Sequence, residues 1–206
     1  AIRDGADGES VGSLPATFEV LEAVAGSCAD YSETFETLGW PYAGWSSTSG
    51  GPASGAVVAE GFYGSYSLRD PEWAYYGSVY AIEPGTIITG TMNPAGGRLY
   101  LGFDSDIDGT RSFVLAPNSG DIRFQDNPDY GYVELTTTLL TWPTTWVDFI
   151  LQIDDDRTAE GIILDAATGS ELARVSHTYD TPFTRGALSL RSFGNIHLDQ
   201  IEVFCP

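Results

Sequence analysis

Apolar and polar residues alternate in short runs along most of the chain, and Gly, Pro, Asp, Asn and Ser separate the runs. In residues 146–153, Phe149, Leu151 and Ile153 alternate with Asp148 and Gln152, and only Ile150 breaks the polar side. That period of two predicts a strand with one buried face. Asp154, Asp155 and Asp156 then predict a solvated turn. Strands are expected over 160–165 and 171–176, joined by Thr168-Gly169-Ser170, and over 186–192 and 196–204, joined by Gly194-Asn195. Upstream, strands are predicted over 31–37, 56–60, 65–69, 74–82, 86–92, 98–104, 110–115, 121–125, 132–138 and 139–142, and those from 56 to 104 start about 8–12 residues apart. Residues 39–55, dense in Gly, Ser, Thr and Pro, are expected to form a long surface loop that carries Trp40, Tyr42 and Trp45. Residues 16–25 are apolar at mixed spacing and fit a short helix or an extra edge strand, and residues 1–13 have the composition of a flexible leader. The reading is an all-β protein, a two-sheet antiparallel β-sandwich over 28–206 behind a leader over 1–27.

Composition narrows the partners. A chain of 206 residues with 42 % hydrophobic content suits one large domain with a packed core. Its formal charge is −20, with nine arginines and no lysine, which argues against nucleic acid or an anionic membrane surface because phosphate recognition relies on cations. No run of about eighteen apolar residues is present, and the start lacks a basic-plus-apolar pattern, so neither a membrane span nor a retained signal peptide is expected.

Two constellations carry chemistry. Asp104-Ser105-Asp106-Ile107-Asp108-Gly109 has the D-x-D-x-D-G opening of a calcium loop, in which Asp104, Asp106 and Asp108 converge on one hard cation. The twelfth position is Leu115 rather than Glu, and the loop lies between strands, so an Asp-rich hairpin turn is the alternative. The second constellation is aromatic. Pyranose rings present C–H patches that pack on flat aromatic faces, while carboxylates, amides and guanidinium groups bond the hydroxyls. Arg69, Asp70, Trp73 and Tyr75 lie in one stretch that combines these groups, and Asn127, Asp129 and Tyr130 lie in another. If both rise on the same side, they border one glycan-binding surface. Strand packing is the alternative role for each ring. No Gly-x-Ser-x-Gly elbow is present, and the two histidines, His177 and His197, are too far apart in sequence to suggest a metal pair.

The closing block, Gly186-Ala187-Leu188-Ser189-Leu190-Arg191-Ser192 followed by Ile196-His197-Leu198-Asp199-Gln200-Ile201-Glu202-Val203, resembles the last strands of concanavalin A-like lectin/glucanase (laminin-G-like) jelly rolls. Galactose-binding-like jelly rolls close in a similar way. Both resemblances imply a sandwich. In such folds the first and last strands are neighbours, which implies a Cys28–Cys205 disulfide, with two buried thiols as the alternative. β-Sandwich carbohydrate modules often hold a structural calcium near the chain ends, and the matching residues are Glu36 and Asp199. Apolar parity shifts from Ile196 and Leu198 to Ile201 and Val203, predicting a bulge near Asp199-Gln200. The Glu-x-Asp-x-x-Glu strand of the related glucanases, which supplies two carboxyls about 5 Å apart, is absent. Its nearest echo, His197-x-Asp199-x-x-Glu202, has His for the first Glu, and a lysine-free chain is a poor polysaccharide lyase.

The expectation is a non-catalytic carbohydrate-binding module, extracellular or on the cell surface, with a neutral glycan or polysaccharide as partner. Calcium is a structural candidate. The rivals are an adhesive subunit that self-associates through its N-terminal segment, and a glycoside hydrolase or lyase with an unconventional site.

Overall fold

A computed structural model describes residues 28–47, 53–80, 83–106 and 108–206. The leader over 1–27, including the helix-or-strand segment 16–25, lies outside the described residues. The fifteen strands are β1 (Tyr31–Glu33), β2 (Trp45–Ser47), β3 (Ala56–Val58), β4 (Ser67–Arg69), β5 (Ala74–Tyr80), β6 (Ile87–Asn93), β7 (Arg98–Ser105), β8 (Gly109–Ala116), β9 (Asp121–Pro128), β10 (Val133–Leu139), β11 (Val147–Ile153), β12 (Thr158–Asp165), β13 (Glu171–Thr178), β14 (Ala187–Phe193) and β15 (His197–Phe204). They form two antiparallel sheets. One has the order β13-β12-β11-β6-β15-β4-β3, with β1 also on β15, and the other the order β10-β9-β8-β7-β14-β5-β2.

The period-two pattern explains the stacking. In β11 Val147, Phe149, Leu151 and Ile153 are fully buried, and the residues between them are partly exposed. Across the gap, Leu99, Leu101, Phe103, Phe113, Leu115, Ile122 and Phe124 of the seven-stranded sheet meet Ile88, Phe149, Leu151, Ile163 and Ile201 in one core. The aromatic rings need room that glycine supplies. A Cβ on Gly161 would stand 2.4 Å from the Phe113 ring, and one on Gly90 would stand 2.3 Å from the Phe149 ring. Any side chain there would overpack the interface between the sheets.

The termini close the sandwich as the resemblance implied. β1 pairs with β15, Tyr31 opposite Val203, and Cys28 is bridged to Cys205 with their Cα atoms 5.7 Å apart. The parity shift in the last strand is a register break between Leu198 and Gln200, which re-aims Asp199.

Three expectations need correction. No strand covers 139–142: β10 ends at Leu139, and the Leu140 N–H bonds the Gly120 carbonyl at the neighbouring turn instead of extending a ladder. The stretch 39–55 is not wholly loop, because Trp45–Ser47 pairs with β5 and Trp45 is buried in the core. Trp40 and Tyr42 pack there too, with ring centroids 5.2 Å between Trp40 and Trp45 and 6.4 Å between Phe35 and Tyr42, so these rings are filler. The first strand stops at Glu33, whose carboxylate accepts the Phe35 N–H, and Phe35 turns into the core with φ 55°.

Candidate ligand-binding face

Residues that alternate with the core positions of β7, β8, β9 and β14 stand on the outer face of the seven-stranded sheet. The register aligns them in rows. Glu134, Gln125, Ser112, Gly102 and Ser189 are successive cross-strand partners. In the next row Arg123, Val114, Tyr100 and Arg191 are partners, and beyond it Arg98 faces Phe193.

Apart from the exposed Glu134, the first row is buried, although it carries Gln125, Ser112 and Ser189. Ser105, Thr110 and Ser189 form a hydroxyl trio at 2.6 and 2.8 Å, over the space that a side chain on Gly102 would fill. Ser112 donates to Asn127 Oδ1, and Asn127 Nδ2 donates to Gln125 Oε1 at 3.1 Å and to the Gly131 carbonyl at 2.7 Å. Gln125 is 0 % exposed, and its Nε2 has no hydrogen-bond partner. The indole Nε1 of Trp73, a residue only 9 % exposed, has none either. Burying an unpaired donor costs about 1–3 kcal/mol, so two on one face call for an explanation.

Aromatic rings border this row. Trp73 packs with Tyr100 at 5.4 Å and with Tyr130 at 4.9 Å, and Val114 and Ala116 complete the cluster. Tyr130 reaches it because Asp129 and Tyr130 are both left-handed, φ 51° and 55°, while backbone bonds from Tyr130 to Asn127 and from Gly131 to Pro128 tie the loop. The rim is open to solvent: Phe193 is 40 % and Tyr132 57 % exposed. Tyr132 is fixed there by Arg123 Nη1, which donates to its hydroxyl at 3.1 Å, and by its own bond to Glu134.

Of the residues singled out from sequence, Trp73, Asn127 and Tyr130 come together on this face. Tyr75 stands in β5 at the register position opposite Ser189. Asp129 is exposed in the turn beside Tyr130, its N–H bonded to the Asp108 carbonyl. Arg69 and Asp70 do not join them: Arg69 belongs to β4 of the other sheet and pairs with Asp70 at 3.5 Å. Tyr100, Ser112, Gln125, Arg98, Arg191 and Phe193 belong to the face and were missed, because outward strand positions show no signal before the register is known.

The candidate calcium ligands are committed elsewhere. Asp104 is buried, and its Oδ1 accepts the N–H groups of Thr184, Arg185 and Gly186 at 3.1, 2.6 and 3.0 Å while Arg111 lies 3.4 Å from its Oδ2. Asp106 instead holds the Asp108 N–H and pairs with Arg185, so the D-x-D-x-D-G run folds as a hairpin turn whose three carboxylates do not gather. Glu36 accepts the N–H groups of Ser65 and Tyr66, and Asp199 those of Phe62 and Tyr63, so both pin the 60–66 loop by backbone amides. Among the described residues no three His, Cys, Asp or Glu side chains form a metal-holding group. Each of Asp104, Glu36 and Asp199 already serves backbone amides in this arrangement.

Near this clamp Asp148 accepts a 2.6 Å bond from Thr91, and burial raises its carboxyl pKa, aided by Asp165 and Asp199. Burial, then Asp148, pushes the Tyr63 hydroxyl up to about 12. With the folded value of Asp148 above the unfolded one, the fold holds the proton more tightly. Its contribution to stability therefore falls as pH rises from the unfolded value, about 3.9, through the folded one. Asp148→Asn is expected to raise the thermal midpoint at pH 7, with the gain shrinking toward pH 4, as unfolding followed by circular dichroism across that range would read.

A second opening, a groove of about 330 Å³, lies where β13 approaches β9 and β10 and is lined by Arg111, Asp126, His177, Tyr179, Asp180 and Thr181 among others. Its cation is already spent. Arg111 stacks on Tyr179 at 4.6 Å, donates to the Pro182 carbonyl and Thr181 Oγ1, and pairs with Asp104. His177 Nδ1 lies 2.8 Å from Thr136 Oγ1, and burial lowers its pKa. The outer face, with its aromatic cluster and unmet donors, is the better candidate.

No family model matches the sequence, and no curated protein matches it either. Solved structures do resemble the fold. The exoplasmic/lumenal domain of VIP36 in its Ca2+-bound form aligns with a TM-score of 0.56 and 10 % identity over 84 % of this chain and 89 % of that one. Lectin II from Ulex europaeus gives 0.55 and 6 % over 86 % and 98 %, and the carbohydrate-binding module CBM66 from Bacillus subtilis gives 0.53 and 10 % over 76 % and 91 %. The chain is thus similar to lectin-fold jelly rolls in architecture, as its closing strands implied.

Proposed function

We propose that the protein is a lectin-like module that binds carbohydrate on the outer face of the seven-stranded sheet and does not hydrolyse it. The observation that carries this reading is the cluster of Trp73, Tyr100 and Tyr130 rings, bordered by the exposed Tyr132 and Phe193, on a face that also holds two unmet donors, Trp73 Nε1 and Gln125 Nε2. Pyranose C–H faces pack on indole and phenol rings, and sugar hydroxyls accept from such donors once side-chain motion uncovers them, so one ligand class answers both features. Solved proteins of the same fold that are named lectin and carbohydrate-binding module support the reading. The disulfide favours an oxidising compartment, outside the cell or on its surface. Backbone amides bonded to Glu36 and Asp199 hold the 60–66 loop.

Electrophoresis through gels carrying immobilised neutral or acidic glycans tests the proposal. The native protein is expected to be retarded by at least one glycan, equally with calcium or with a chelator. Free migration through every gel would contradict it.

A further inference from the structure

The charge of the ligand is written in the arginines. Of the nine in the chain, Arg3 lies outside the described residues. Six of the other eight, Arg69, Arg111, Arg123, Arg157, Arg174 and Arg185, have a carboxylate within 4.0 Å. Arg98 and Arg191 have none among the described residues. With 29 Asp and Glu in the chain, two such guanidinium groups are an exception, and both stand on the candidate face.

They are also neighbours. Arg191 of β14 lies opposite Tyr100, and Arg98 of β7 lies opposite Phe193, which makes the two arginines diagonal partners on adjacent strands, about 7–8 Å apart. Aromatic faces and neutral oxygens hold them in place. The Arg191 guanidinium sits 5.7 Å from the Trp73 ring and 5.6 Å from Tyr100, and that of Arg98 sits 5.8 Å from Phe193. Arg98 donates to Asn118 Oδ1 at 3.3 Å, Tyr100 Oη at 3.4 Å and Ser119 Oγ at 3.2 Å. No acidic side chain among the described residues lies within 4.0 Å of either, although Arg123, one strand beyond β8, is held by both Asp121 and Glu134.

We infer that the glycan bound on this face carries an anionic substituent, a carboxylate or a sulfate, gripped between Arg98 and Arg191 while its ring packs on the adjoining aromatics. This rests on the carbohydrate reading and adds the substrate class to it. It also replaces the neutral partner expected from overall charge: within a chain of −20, this face sets two arginines with no carboxylate partner among the described residues. Planar forks on carboxylate or sulfate are the strongest hydrogen bonds available to such a ligand.

Isothermal titration with four probes tests it: an oligogalacturonide, its fully methyl-esterified form, a sulfated galactan oligosaccharide and its desulfated form. At least one anionic probe is expected to bind about tenfold or more tighter than its uncharged counterpart, the loss a charge-assisted bond predicts. The carboxylate and sulfate arms identify which anion is read. Arg191→Gln and Arg98→Gln should each remove that preference, and Arg157→Gln, remote from the face, should keep it. Melting curves establish that each variant is folded. Uncharged probes binding as well as charged ones, or a preference that survives both face substitutions, would overturn the inference and leave the carbohydrate reading standing. Binding of none of the four, nor of any other glycan tested in the gels, would overturn both.

Discussion

Replacing Cys28 and Cys205 together by serine is expected to lower the thermal midpoint by about 10–20 °C. The bridge closes a loop between residues 177 apart in sequence, and the chain-entropy model assigns such a closure about 5 kcal/mol through the unfolded state. For a domain of this length each kcal/mol moves the midpoint by about 2–4 °C. The native state feels the loss as well. β1 has three residues, pairs only with β15, and is otherwise tied near the bridge by the Cys205 N–H donating to Asp30 Oδ1 at 2.9 Å. Circular dichroism melts of the native protein, the reduced protein and the double variant would read the effect. A fall of less than about 3 °C in both altered forms would mean that the closure model does not describe this chain.

The second large effect falls on binding. Trp73→Ala removes the ring that touches Tyr100, Tyr130 and the Arg191 guanidinium, together with the unmet donor, and is expected to weaken glycan binding about 30-fold or more. Trp73→Phe keeps an aromatic ring but deletes Nε1–H, and about tenfold is expected from one hydrogen bond. The graded pair separates stacking from donation. Because Trp73 is largely buried, the melting curve of each variant has to accompany its titration, and a folded Trp73→Ala protein with unaltered affinity would remove this residue from the site.

The two sheets were legible where alternation is strict. β11 alternates buried and part-exposed positions as its sequence does, and the parity change in the last strand marks the register break beside Asp199. β2 was hidden, because Trp45-Ser46-Ser47 sits among Gly, Ser and Thr and owes its strand conformation to pairing with β5, which no local pattern encodes. The strand expected at 139–142 failed for the opposite reason, since past Leu139 the apolar Leu140 and Trp142 serve the core without extending the ladder.

The site was legible by halves. Trp73, Asn127 and Tyr130 were visible because aromatics in turn-rich segments stand out. Arg69 and Asp70 were grouped with Trp73 by sequence proximity, yet between β4 and β5 the chain crosses from one sheet to the other, and the crossing separates them. Gln125, Tyr100 and the unneutralised arginines emerge only once the register places alternate positions of four strands on one surface. The Asp run at 104–108 shows the limit of a motif without its fold: Asp104 lies near the end of β7, where a neighbouring segment directs three amides at its Oδ1 and Arg111 faces its Oδ2.

The most direct measurement is a titration of nitrogen-15-labelled protein with a glycan that retards it, following the indole N–H resonances. Trp73 Nε1–H should shift as it gains an acceptor, and Trp142 Nε1–H, buried and unpaired outside the proposed face, should hold still. If the Trp73 resonance stays fixed at saturation while residues of the 60–66 loop or the Arg111 groove respond, the glycan is bound somewhere other than the outer face of the seven-stranded sheet.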